Sequence, residues 1–251
     1  MKLPISVVII TKNAERHLSQ TLNKLKVFEE IIVYDNGSQD LTIDIAEKYS
    51  NVKIVRGDFI GFGATKNSAI EVAKYDWIFA LDADEQPNEA LLADIQSIPF
   101  SQSSIVYRVN RCNYYRAKAI QHSGWAPDYL IRLFNRQFTK FNNKLVHEAI
   151  IIPEAANVVT LKGQLNHYGC NGAEDLIAKM QHYSRLYAES YQGKKKSSIS
   201  KALVHGSGAF FKTYFLKRGF LDGKEGFIIA AANGISKYYR YIKLMEINNS
   251  N

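Results

Sequence analysis

Four short apolar runs recur in the first 82 residues: ISVVII (5–10), EIIVYD (30–35), VKIVRG (52–57) and WIFALD (77–82). Their hydrophobicity is continuous rather than alternating, which predicts strands buried on both faces, as in a parallel sheet covered by helices. Between them the apolar positions fall at helical spacing: Leu18, Leu22 and Leu25, then Ile43, Ile45 and Ala46, then Ala69, Ile70 and Ala73. Alternation of this kind predicts a doubly wound, Rossmann-like α/β domain, whose ligands bind beyond the carboxyl ends of the strands. Three runs end at that edge in polar tips, Thr11-Lys12-Asn13, Asp35-Asn36-Gly37-Ser38 and Asp82-Ala83-Asp84-Glu85, and the third run is followed by GDFIGFGATKN. These tips are expected to converge on one crevice.

After residue 97 the pattern changes. Residues 103–115, 128–141 and 145–154 contain strand-like stretches without helical crossovers, which predicts an antiparallel extension of the sheet. It carries Trp125, Asp128, Arg132, His147 and Glu148. From Ala173 the spacing is helical to the end, with turns at Gly193-Lys-Lys-Lys and at GFLDGKEG (219–226). The expected organisation is an α/β domain over 1–172, divided into a parallel half (1–97) and an antiparallel half (98–172), followed by a basic helical region over 173–251.

Composition adds limits. The 251 residues, 46% of them hydrophobic, suffice for a full core. The opening MKLPISVVII is not expected to act as a signal peptide, because its apolar run is short, interrupted by Ser6 and followed by polar TKNAER. No stretch approaches the roughly 20 apolar residues that span a bilayer. Cys112 and Cys170 lack metal-ligand spacing and are expected as reduced thiols of a cytosolic protein. The net charge of +8 is uneven: from Glu174 onward there are 13 Lys and Arg against 6 Asp and Glu. That asymmetry suggests an anionic surface as partner, or simply a solvated helical face.

The chemistry is concentrated at the strand tips. An Asp-X-Asp at the end of a buried strand is a good chelator for Mg²⁺ or Mn²⁺ shared with phosphate oxygens. The bland alternative makes Asp82 a turn residue and Asp84 or Glu85 the cap of a helix beginning near Pro87. Asp35 is placed to accept from a ribose hydroxyl or a base imide, while Asp40 is expected to cap the next helix. Gly61 and Gly63 let backbone approach a ligand, with Lys66 and Asn67 as donors. There is neither a P-loop nor a dinucleotide fingerprint. His122, His167 and His182 show no zinc spacing, and Tyr183, Tyr187 and Tyr191 repeat every four residues, as packing would.

Taken together, ISVVIITKN, EEIIVYDNGSQDLT, GFGATKNSAI, FALDADEQ, GWAPDYLIRLFNR, VHEAI and FFKTYFLKRGFLDGKEGF resemble the family 2 glycosyltransferases of GT-A fold, most of all the lipopolysaccharide inner-core β-1,4-glucosyltransferase branch. The resemblance implies an inverting, metal-dependent transfer of a hexose, glucose from UDP-glucose as the best guess, to a lipopolysaccharide core or similar lipid-linked saccharide, and makes 1–172 a catalytic domain with a nucleotide-sugar half (1–97) and an acceptor half (98–172). Thr11 and Asn13 would border the base and Asp35 would recognise uridine. Lys66 would hold base or phosphate, Asp82 would meet ribose or metal, and Asp84 would be the main ligand of Mn²⁺ or Mg²⁺. The aromatic neighbour usual beside the base-contacting Thr is replaced by Lys12. Glu148 is the first choice for the general base, with His147 orienting it or binding phosphate or metal, and Asp128 is its rival. Trp125 and Arg132 are expected on the acceptor side, while one of Arg132 and Arg136 is a surface residue.

The basic, aromatic C-terminal helices suit peripheral contact with an anionic membrane, on the inner face of the cytoplasmic membrane. Packing against the core or between subunits of a homo-oligomer is the competing use. A non-catalytic binding module for an anionic surface or nucleic acid leaves the Asp cluster unexplained, so no nucleic-acid partner is expected. A nucleotidyltransferase would need a Gly-rich loop after the first strand, and TKNAERHLS has no Gly.

Overall fold

The computed structural model describes residues 2–143 and 148–249. The parallel strands form where the apolar runs predict: β1 (Leu3–Thr11), β2 (Phe28–Asp35), β3 (Val52–Arg56) and β4 (Trp77–Asp82). Helices α1 (Glu15–Lys24), α2 (Thr42–Ala46) and α3 (Phe62–Glu71) connect them. Next come β5 (Glu85–Pro87), α4 (Glu89–Gln96), β6 (Ile105–Tyr115), β7 (Lys118–Ala119), β8 (Tyr129–Asn135) and β9 (Asn157–His167). The sheet order is β3-β2-β1-β4-β8-β6-β9-β5, with β7 paired to β6. β3, β2, β1 and β4 run parallel, whereas β8 is antiparallel to β4 and to β6. This is the expected mixed sheet, a parallel half joined to an antiparallel extension.

Both faces are covered, which is why the strands read as continuous apolar runs. Ile5, Val7 and Ile9 of β1 join Ile31, Val33, Phe79 and Leu81 on one face, under Leu18, Leu22 and Leu25 of the α1 region. Val8, Ile32, Ile78 and Ala80 point the other way, against Ala69, Ile70 and Ala73. Each fully buried Leu or Ile of this kind contributes about 1.5–3 kcal/mol relative to exposure.

The antiparallel half differs from the sequence expectation in one strand. Within 148–154 there is no strand, only an isolated bridge between Phe141 and Ile150, and Ile151 and Ile152 are exposed. The strand forms instead at β9, where Val159, Leu161 and Leu165 alternate towards the core. Gly163 is required in β9 because a Cβ there would lie 2.1 Å from the Leu91 backbone nitrogen of α4.

Two compact units are present: residues up to Arg111 with Tyr129–His167, and Cys112–Asp128 with Tyr168 onward. The second therefore includes a segment, Cys112–Asp128, that the sequence groups with the acceptor half. Its helices are α5 (Ala173–Tyr191), α6 (Ile199–Phe211) and α7 (Gly223–Asn249), with a π-helical turn at Lys212–Leu216 and a 3₁₀ turn at Gly219–Asp222. Both expected turns are present. Gly226 packs so tightly on the 3₁₀ turn that a Cβ would come 1.8 Å from the Gly219 carbonyl oxygen. Of the tyrosine stripe, Tyr187 and Tyr191 pack together with centroids 4.6 Å apart and Tyr183 is exposed. Cys112 and Cys170 are buried free thiols.

Candidate active site

Strand register brings the first polar tips to one edge: Thr11 pairs with Asp35, and Ile10 pairs with Asp82. The Asp35 carboxylate organises its own turn. It accepts from the backbone N–H groups of Gly37 and Ser38, each at 3.1 Å, from the Ser38 hydroxyl, and from Thr11 Oγ1 at 3.4 Å. Asn13, in the left-handed conformation that Asn tolerates, donates its N–H to Ser38 Oγ and accepts from the Gln39 N–H. Asp40 accepts from the N–H groups of Glu15 and Thr42 and so ties together the starts of α1 and α2, but the N-cap position of α2 is Leu41, one residue beyond the expected cap.

The Asp-rich tip of β4 is neutralised by fixed cations. Lys66, 1% exposed, places Nζ 2.8 Å from Asp82 Oδ1 and 2.9 Å from Glu148 Oε1. Arg132 Nη2 donates to Asp82 Oδ2 at 3.0 Å and to Glu85 Oε1. Arg111 Nη1 lies 3.1 Å from the same Glu85 oxygen. Burial opposes ionisation of Asp82, yet Lys66 and Arg132 outweigh it and hold the carboxyl well below its usual range. Burial likewise opposes the charge on Arg132, but Glu85 and Asp82 raise its pKa further.

This arrangement disposes of the helix-capping alternative. Asn88 caps α4, accepting from the Leu91 N–H at 2.8 Å. Glu85 is a fully buried member of β5 and accepts from the Asp82 N–H. Arg136, by contrast, binds Asp76 and the carbonyls of Ile70 and Ala73, securing the end of α3.

Asp84 stands apart from the Lys and Arg partners. Its Oδ2 is 3.5 Å from His167 Nε2, brought there because His167 pairs with Glu85 across β9 and β5, and its side chain is 30% exposed. Burial works against its charge, but the hydrogen bond and charge of His167 keep its carboxyl low. Among the described residues no three His, Cys, Asp or Glu side chains form a metal cage. A carboxylate beside an imidazole nevertheless fits a divalent ion that takes its other positions from phosphate and water. Asp82 fits less well, since each of its oxygens already receives a cation.

Asp128 and Trp125 lie in the second unit. Asn113 Nδ2 donates to the Trp125 carbonyl at 2.9 Å and to Asp128 Oδ2 at 3.0 Å, fixing one against the other. The loop before them is held by Asp222. Its carboxylate accepts from the N–H groups of Gln121 and His122 and from Ser123 Oγ at 2.7 Å. Lys118 Nζ adds a bond to the Asp222 carbonyl. Sequence reasoning missed Arg111, Asn113 and Asp222. Only Asp222 carried a signal, as part of the branch-specific GFLDGKEG stretch. His147 lies outside the described residues.

Residues 6–156 match the sequence profile of glycosyl transferase family 2. An uncharacterized glycosyltransferase of Rickettsia bellii is 30% identical over 97% of this chain and 87% of its own length. The lipopolysaccharide core biosynthesis glycosyltransferase LpsC of Rhizobium meliloti is 26% identical, covering 98% of this chain and 93% of that protein. A crystal structure of S. aureus TarS 1–349 in complex with UDP-GlcNAc gives a TM-score of 0.47 at 14% identity, over 99% of this chain and 91% of that one. The chain belongs to glycosyl transferase family 2 and is a glycosyltransferase enzyme.

Proposed function

We propose that this enzyme transfers a hexose, glucose in the first instance, from a UDP-sugar to a saccharide of the lipopolysaccharide core or a similar lipid-linked glycan, with inversion at the anomeric carbon. The single observation that carries the reading is the charged edge of the sheet, where Lys66, Arg111 and Arg132 offset Asp82, Glu85 and Glu148 and Asp84 is set beside His167. The similarity to LpsC supports the acceptor class.

The residues divide the work as follows. Asn13 and the Gly37–Ser38 turn border the nucleoside, with Thr11 and Asp35 holding that turn in shape. Lys66 and Arg132 fix the Asp82 carboxylate so that it meets the ribose without being protonated. Asp84, with His167, would hold Mn²⁺ or Mg²⁺, whose chemistry is to neutralise charge on the departing diphosphate. Trp125 offers a ring face to the acceptor sugar. A general base takes the acceptor hydroxyl proton as that oxygen bonds to the anomeric carbon and the carbon–diphosphate bond breaks.

Glu148 is compromised for the base role, because the Lys66 ammonium at 2.9 Å competes for the lone pair a proton would take. Asp128, oriented by the Asn113 amide, takes first place. The transfer works at the inner face of the cytoplasmic membrane, where a lipid-linked acceptor is presented. The test is transfer from UDP-glucose to a detergent-dispersed core glycolipid, with the new linkage read by NMR. A β-linked product supports the proposal, and an α-linked product from this α-linked donor would overturn inversion.

A further inference from the structure

The C-terminal unit exposes an apolar surface that the chemistry above does not use. Rings of Phe210, Phe211, Tyr214, Phe215, Phe220 and Phe227 form one connected network, with neighbouring centroids 5.1–6.3 Å apart. Phe211, Phe215, Phe220 and Phe227 are each about half exposed, Leu221 equally so, and Leu216 at the tip is 79% exposed. An apolar groove of about 250 Å³ between α5 and α7 is lined in part by Phe227, and another of about 330 Å³ between α6 and α7 in part by Phe210. Apolar surface therefore continues from the tip along α7. Contiguous patches of this kind on a soluble fold mark a docking surface.

The charges around it select the occupant. Lys212, Lys217, Arg218 and Lys224 are interleaved with the apolar residues and all are exposed. Of the two acids of the stretch, Asp222 is buried on the 121–123 loop, and Glu225 binds Lys118 at 2.9 Å, with only a long 3.9 Å approach to the exposed Lys224. A second copy docking on this patch through a two-fold axis would set the four cations against themselves. An anionic lipid surface gives each of them a counter-charge and gives the aromatic rings an interfacial bed. Among the described residues no helix is long and apolar enough to cross a membrane, so contact at the surface is the geometry available to this patch.

We propose that the tip formed by the end of α6, the π-helical and 3₁₀ turns and the start of α7 is a docking surface for an anionic bilayer, into which Phe211, Phe215, Leu216 and Phe220 insert while Lys212, Lys217, Arg218 and Lys224 bind headgroup phosphates. This deepens the membrane part of the proposed function by naming the surface that makes the contact, and it stands independently of donor and acceptor.

The experiment is co-sedimentation of the full chain with phosphatidylglycerol-rich vesicles and with pure phosphatidylcholine vesicles, alongside UDP release from UDP-glucose. Two variants are compared with wild type: F215S/L216S, and K212Q/R218Q/K224Q, whose exposed positions leave the fold untouched. The expected result is salt-sensitive binding to the anionic vesicles only, weakened ~10-fold or more in each variant, with thermal melt and UDP release unchanged. Equal binding to neutral vesicles, or equal binding by both variants, would overturn the proposal. So would a wild-type dimer without vesicle affinity that the apolar variant splits. Vesicle binding in a protein that releases no UDP from UDP-glucose would uphold the surface and strike only the proposed UDP-glucose donor.

Discussion

Lys66 sets the residue scale, because a lysine 1% exposed is retained only if its charge is matched. Lys66→Met would leave Asp82 and Glu148 short of their shared ammonium. The expected loss is about 3 kcal/mol, or roughly 10 °C in Tm, read by thermal melting. The base assignment separates at the same scale. Asp128→Asn should lower kcat by ~100-fold or more while UDP binding by calorimetry is retained. Glu148→Gln should instead lower stability with a smaller effect on kcat, since its carboxylate holds Lys66; the reverse pattern would return Glu148 to the base role. These partners were only half legible in the sequence. The Asp cluster and Lys66 announce themselves by type and position at strand ends, whereas Arg111 and Asn113 sit in NRCNYYR, a stretch without distinctive spacing. Glu85 looked like a loop acid until β5 buried it.

At the scale of elements, the 3₁₀ turn at Gly219–Asp222 is a clamp on the loop that leads to Trp125 and Asp128. Asp222→Asn keeps one carbonyl oxygen but turns the other acceptor into a donor facing N–H groups. It should lower kcat by ~10-fold or more, with KM for UDP-sugar little changed; an equal rise in KM would show a merely structural role. Gly163→Ala should destabilise the protein measurably in urea, because its Cβ would strike the α4 backbone. The parallel strands were legible because burial on both faces leaves an unbroken apolar run. β9 was not, because NVVTLKGQLNH alternates apolar residues with Thr, Lys, Gln and Asn, while the neighbouring EAIIIPE offers a stronger but misleading run. The clamp was illegible for a different reason: Asp222 and its partners are about 100 positions apart.

For the whole molecule, the depressed carboxyls of Asp82 and Asp84 set the acid limit. A carboxyl lowered in the folded state contributes its full stability above the unfolded value, near 4. That contribution is lost as pH falls through the folded value. Melting temperature should therefore hold steady at mildly acidic pH and fall below about pH 4, and Asp82→Asn should flatten that fall at the cost of a lower plateau; an unchanged acid limb would contradict the assignment. The most direct test of the central claim is UDP release from a panel of UDP-sugars with Mn²⁺, Mg²⁺ or EDTA, comparing wild type with Asp84→Ala. Metal-dependent release from one donor, lost in the variant while it remains folded, is the predicted result. Equal release by Asp84→Ala, or release indifferent to EDTA, would contradict the metal-assisted UDP-sugar site at this edge of the sheet.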